Sequence, residues 1–262
     1  MQAEIQVKLD KITLREEAAR EEYEKALWVS INAKRSAKCK LLELPFELRK
    51  MILGYVVEPL NTAVYLPGNN GRRATSFPLP TVALVDCKLL RHEAITLILQ
   101  TSTIEIHSGP ANKKVRAFLQ DIVYAESGNT FGEDYKLGFD AVKSLNFPYF
   151  SCFPHAMLGP KAFNHDVLLA CECKNLEKLA LTWRDTETVD YGKDGIVPKP
   201  IAQLRREYRL DGLLTLNKLN TLRLVLRYTG SVGDIGYNQV RVLTEWFQEG
   251  FGRQGRVVAV IG

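Results

Sequence analysis

The sequence predicts an α/β fold, a helical N-terminal segment followed by irregular helix–strand repeats that build a parallel sheet. Two observations predict it. An apolar-x-x-apolar-x-apolar frame recurs as Val142-x-x-Leu145-x-Phe147, Leu176-x-x-Leu179-x-Leu181 and Leu219-x-x-Leu222-x-Leu224, with a shortened copy at Val258-x-Val260. A helical apolar pattern precedes each copy, so each strand must be regained by a crossover, and crossovers make parallel pairs.

The elements follow in order. Residues 1–33 are dense in Glu, Lys, Arg and Ala. Ile5, Leu9 and Ile12 make a stripe that Ala19, Tyr23 and Ala26 continue more weakly, as on a long helix with one apolar face. Glu16 interrupts that stripe, which argues against an extended coiled coil; the helix either packs along its own chain or docks on one partner helix. A basic run, "AKRSAKCK", closes this first stretch, residues 1–40.

Next comes "LLELPFELRKMILGYVVEP", residues 41–59. Pro45 suits the first turn of a helix, where its missing N–H has no intrahelical partner. Leu48, Ile52, Tyr55 and Val56 then recur at helical spacing on one face, with Glu47, Arg49 and Lys50 off it, and Pro59 ends the helix. Such a face either binds a partner or forms domain core. A strand at Thr62–Leu66, a polar loop, a helix over Thr81–Leu99 and a strand at Thr103–His107 complete the second stretch, residues 41–110. His92 and Glu93 read as part of an exposed charged turn.

The third stretch, 111–262, holds the repeats. Helical patterns at Val115/Phe118/Leu119/Ile122, Phe163–Cys171, Ile201/Leu204/Tyr208 and Val240/Leu243/Phe247 alternate with the four frames. L-x-x-L-x-L is the strand half of a leucine-rich repeat. The spacings (145→179→222→258) exceed the roughly 20–29 residues of regular repeats, and no Asn or Cys closes the frame. Degenerate repeats with long loops at 127–141, 184–200 and 229–237 are therefore expected; a plain open α/β sheet is the other arrangement the pattern allows.

Composition narrows the function. Hydrophobic residues are 46% and charged residues 25% of the 262, too apolar for a disordered chain. A net charge of +5 permits an acidic partner but does not mark a nucleic-acid binder. No apolar run approaches the roughly 20 residues of a membrane span, and "MQAEIQVKLDKITLREEAAR" lacks a signal-peptide apolar region. Five scattered cysteines do not form a disulfide framework, so an intracellular chain, cytoplasmic or nuclear, is expected.

Catalytic and cofactor motifs fail on context. "GFGRQG" (Gly250, Gly252, Gly255) is a formal G-x-G-x-x-G, but it follows a helix and precedes a strand, the reverse of the order that brings a pyrophosphate to a helix N-terminus. Cys152, His155, His165, Cys171 and Cys173 lack the paired spacings of structural zinc sites, and Cys171 and Cys173 read as small buried thiols under a leucine strand. No P-loop, H-E-x-x-H or G-x-S-x-G occurs. No cofactor, metal or enzymatic activity is expected.

Two stretches carry a resemblance. "LLELPFELRKMILGYVV" resembles the first helix of F-box domains, especially the F-box-like domains common in filamentous fungi. The pattern Leu-x-x-Leu-Pro-x-Glu-Leu-Arg-x-x-Ile is matched by Leu41, Leu44, Pro45, Glu47, Leu48, Arg49 and Ile52. "VALVDCKLLRHEA" is similar to the helix that continues such domains, through Val85, Cys87, Arg91, Glu93 and Ala94. "FNHDVLLACECKNLEKLALTW" is similar to their leucine-rich portion. The resemblance implies docking of the N-terminal helices on the Skp-type linker of a cullin–RING ubiquitin ligase, with Leu44, Pro45, Leu48 and Ile52 as the linker-binding face. It implies a repeat region that presents a protein substrate. The alternative within the same class is a scaffold or regulatory binding protein without ubiquitin.

The strand period locates the substrate face. If the leucines face the helices, Asn146, Thr182, Arg184, Arg223, Val225 and Arg227 point to the other side of the sheet. Three arginines there would suit an acidic segment of a partner. They are otherwise solvated charges, or Arg223 and Arg227 pair with loop acids such as Asp185 and Glu187.

Overall fold

The computed structural model describes residues 40–57, 64–66, 87–107, 109–125, 135–150, 164–192, 195–227 and 234–262. The expected helix over 1–33 lies outside them. A 3-10 turn (Lys40–Glu43) leads into α1 (Phe46–Val57), β1 (Val64–Leu66), α2 (Lys88–Thr101) and β2 (Thr103–Ile106). α3 (Gly109–Asp121), an antiparallel hairpin of β3 (Val123–Ala125) and β4 (Tyr135–Leu137), and a single turn, α4 (Gly138–Ala141), precede β5 (Ser144–Phe147). α5 (His165–Glu172) precedes β6 (Lys178–Arg184). A second antiparallel hairpin, β7 (Val189–Gly192) and β8 (Gly195–Pro198), and α6 (Ile201–Tyr208) lie before β9 (Thr221–Arg227). α7 (Asp234–Arg253) then leads to β10 (Ala259–Ile261).

β1, β2, β5, β6, β9 and β10 form one six-stranded sheet in that order, and each neighbouring pair is parallel. Spatial order thus repeats chain order. Because crossovers between parallel strands share one hand and here all step the same way, the described helices between the strands fall on one face of the sheet. β2 pairs with β5, so the sheet continues across residue 110.

The recurring frame explains the packing. Ile104, Leu145, Leu179, Leu222 and Val260 stand in register across five strands, and each is buried. Phe147, Leu181 and Leu224 make a second buried row. Burying each such side chain is worth about 1.5–3 kcal/mol, so the two rows are a continuous, substantial part of the core. The first frame members, Val142, Leu176 and Leu219, are buried just before their strands. There the entry turns bond one another in sequence: Glu177 N–H to the Lys143 carbonyl, Asn220 N–H to Glu177, and Ala259 N–H to Asn220, each at 2.9 Å.

The covering layer closes at both ends with specific contacts. Trp183 meets Phe150 at 5.0 Å and Tyr208 at 4.6 Å between ring centroids, both edge-on, and all three are buried. Arg256 donates to the carbonyls of Leu214, Leu216 and Leu219, which ties the end of α7 to the chain at and beyond the 3-10 turn Leu210–Thr215. Its guanidinium lies 5.0 Å over the Phe251 ring.

Three expectations are corrected. The helix expected over Thr81–Leu99 is described from Lys88 and runs on to Thr101. The loops expected at 127–141 and 184–200 hold structure: β4 and α4 in the first, and a 3-10 turn (Asp185–Thr188) with the β7–β8 hairpin in the second. Short alternations such as "VDYG" and "GIVP" are too brief to register as strands until they pair with each other. Glu93 is not an exposed charge; it is inside, bonded to Arg49.

Candidate functional site

α1 has two faces of unequal fate. Leu53 and Val57, one turn apart, are buried, and Arg49 completes the inward stripe. Arg49 Nη2 donates to Glu93 Oε1 at 2.7 Å and Nε to Glu93 Oε2 at 3.0 Å, while Nη1 reaches the Leu44 carbonyl at 2.6 Å. This pair joins α1 to α2. The Glu93 hydrogen bond, ahead of burial working the other way, raises the Arg49 pKa further. Turning Arg49 inward turns the apolar stripe outward: Leu48 is 43% exposed, Met51 58%, Ile52 40%, Tyr55 72% and Val56 48%. Of the sequence-predicted linker residues, Leu48, Ile52 and Pro45 are exposed and Leu44 is half-buried. Five large apolar side chains clustered on one short helix make a patch of the kind that marks an interaction site.

The second surface is the face of the sheet that no described helix covers. The register sets Glu105, Asn146, Ala180, Arg223 and Ile261 in one row. One step further along the strands Thr182 pairs with Val225, and at their C-terminal ends Arg184 pairs with Arg227. Arg184, Arg223 and Arg227 are exposed, and Asn146, Thr182 and Val225 are half-buried. Asn146 Nδ2 donates to Glu105 Oε1 at 2.9 Å. His107 Nε2 lies 3.2 Å from Glu105 Oε2. Beyond β5, the Tyr149 ring sits between His107, at 5.6 Å, and the Arg227 guanidinium, at 5.1 Å. Asp185 accepts from the Thr186 N–H, and Glu187 from the Tyr208 hydroxyl.

Sequence reasoning missed several of these. Glu105 and His107 were legible, because "TIEIH" alternates and the isoleucines are buried. Tyr149 lies in a turn, where period-two reading has no purchase. The Arg49–Glu93 pair joins residues 44 positions apart, and no local pattern could reveal it.

Cys171 and Cys173 sit in the packing. Cys171 donates to the Gly212 carbonyl at 3.3 Å, Cys173 is fully buried, and burial raises the pKa of both thiols, which leaves them poor nucleophiles. Among the described residues no group of three or more His, Cys, Asp or Glu could hold a metal ion, and Cys152 and His155 lie outside them. Gly250 and Gly252 fall within α7 and Gly255 (φ 68°) just beyond it, a helix-to-strand passage. No helix among the described residues is long and apolar enough to cross a membrane.

Comparison with known proteins is negative: no family model matches the chain, and no curated protein or solved structure matches it significantly.

Proposed function

We propose that this chain is an F-box-like, substrate-recruiting adaptor of a cullin–RING ubiquitin ligase. In this reading the outer face of α1 docks on a Skp-type linker protein. The leucine-rich-repeat-like sheet presents a protein substrate on its open face. The observation that carries it is the outward apolar stripe Leu48–Met51–Ile52–Tyr55–Val56 on a helix held from behind by Leu53, Val57 and the Arg49–Glu93 pair. A helix so anchored offers a partner a preformed apolar surface, and a contact of that kind loses several kcal/mol when it must bury carboxylates.

The test is affinity purification from cells that contain the ligase, using wild type and a Leu48→Glu/Ile52→Glu variant. Wild type should recover linker and cullin, and the variant should recover neither while keeping the wild-type circular dichroism spectrum and melting temperature. Equal recovery by both proteins sinks the docking face. A wild type that brings down no linker or cullin leaves the scaffold or regulatory reading of the same fold.

A further inference from the structure

On the sheet face that no described helix covers, the charges of the described strands are segregated. Lys178, Arg184, Arg223 and Arg227, on β6 and β9, are all exposed. The acidic side chain of the described strands on that face, Glu105, sits at the far side on β2 and is engaged by Asn146 and His107. Between Lys178 and Arg184, Ala180 and Thr182 make a low floor along β6, flanked by Val225. The cations also have a definite spacing. Arg184 and Arg227 are register partners on adjacent strands, about 4.8 Å apart at the backbone. Arg223 lies four residues before Arg227 on β9, about 13 Å away at about 3.3 Å per residue, and points to the same side because the difference is even. The half-buried Val225 lies midway.

We propose that this face binds an extended acidic segment of a protein, laid along β9, with two anionic side chains four residues apart and a small apolar residue between them. The downstream or upstream anion sits over the Arg184/Arg227 pair, the other over Arg223, and the middle side chain over Val225 and Thr182. An extended chain turns residues i, i+2 and i+4 to one side at the same rise as β9, so the three contacts coincide in register. Carboxylate and phosphate satisfy guanidinium equally in kind, since both accept paired N–H bonds. The Tyr149 ring lies 5.1 Å from the Arg227 guanidinium, a contact that restrains this side chain and lowers the entropy lost on binding.

This inference gives chemistry to the substrate half of the adaptor reading, and it is tested without linker or cullin. The full chain is titrated by fluorescence anisotropy against labelled twelve-residue peptides holding Glu-x-Val-x-Glu, the same with phosphoserine for each Glu, and controls with the acids three or five residues apart. Expected is tighter binding of the four-residue spacing by about tenfold over either control, weakening with salt. An Arg223→Ala variant with the wild-type melting temperature should lose that spacing preference, and Arg184→Ala/Arg227→Ala should weaken every acidic peptide about tenfold or more. Phosphoserine peptides binding tighter than Glu peptides assigns the anion as phosphate; the reverse assigns carboxylate. Affinity indifferent to spacing, or unchanged in both variants, overturns the proposal. So does tighter binding of a single-stranded oligonucleotide of equal charge. None of these results depends on whether linker and cullin co-purify, so the two readings fail separately.

Discussion

The Arg49 guanidinium grips the Glu93 carboxylate through two bonds, Nη2 to Oε1 at 2.7 Å and Nε to Oε2 at 3.0 Å, with side chains only 8% and 9% exposed. It also bonds the Leu44 carbonyl, so one side chain ties the start of α1 to α2. Removing one partner of such a pair strands a buried charge, at about 3–5 kcal/mol. Arg49→Met is therefore expected to lower stability by that amount in urea titration, and Arg49→Met/Glu93→Leu to recover most of it. A single variant as stable as wild type would show that water already solvates the pair.

The two faces of α1 should answer oppositely to truncation. Leu53→Ala removes a core side chain that is 4% exposed and should cost about 2–5 kcal/mol. Leu48→Ala, on the exposed face, should change stability by less than about 0.5 kcal/mol. Thermal melts of the two variants decide this, and equal losses would mean that the outer face is packed in solution.

Asp166 provides a pH signature. It lies in the first turn of α5, whose cap Asn164 accepts from the Asp166 and Val167 N–H groups. Burial pushes its carboxyl up to about 7, partly opposed by the Asn112 Nδ2 bond at 2.8 Å. Below about pH 4 the group is protonated folded and unfolded, so it has no effect. As pH rises the unfolded chain ionises first and stability falls, until the loss is complete above about 7. Because the residue keeps some contact with water and the helix dipole favours the anion, the loss should be nearer about 1–2 kcal/mol than the full linkage value. In Asp166→Asn this component should vanish, so its stability relative to wild type rises between pH 4 and 7. The neutral amide can also offer a donor to Asn112 Oδ1, which finds no partner among the described residues. A difference between variant and wild type that stays flat over that range would refute the assignment.

Much of the sheet was written into the chain because its signal is local. Leu145, Leu179 and Leu222 declare their strands through a frame three to six residues long, and that frame alone turns Arg184, Arg223 and Arg227 to the opposite face. Period two needs no knowledge of the rest of the fold. The helices before each frame were legible for the same reason.

What only tertiary structure decided was which surface meets water and which residues meet each other. On α1 the apolar stripe Leu48, Ile52, Tyr55 and Val56 could by its pattern be either core or a partner face; it faces outward, and the inward stripe carries an arginine. Amphipathicity names two faces without saying which is turned in. Here that choice rests on Glu93, a residue 44 positions away whose carboxylate makes a buried Arg49 tolerable. Tyr149 joins His107 and Arg227 in the same way, across three strand ends that no sequence period connects. Side-chain direction follows from the local backbone, whereas partnership across the sheet depends on crossovers whose lengths bring distant residues into register.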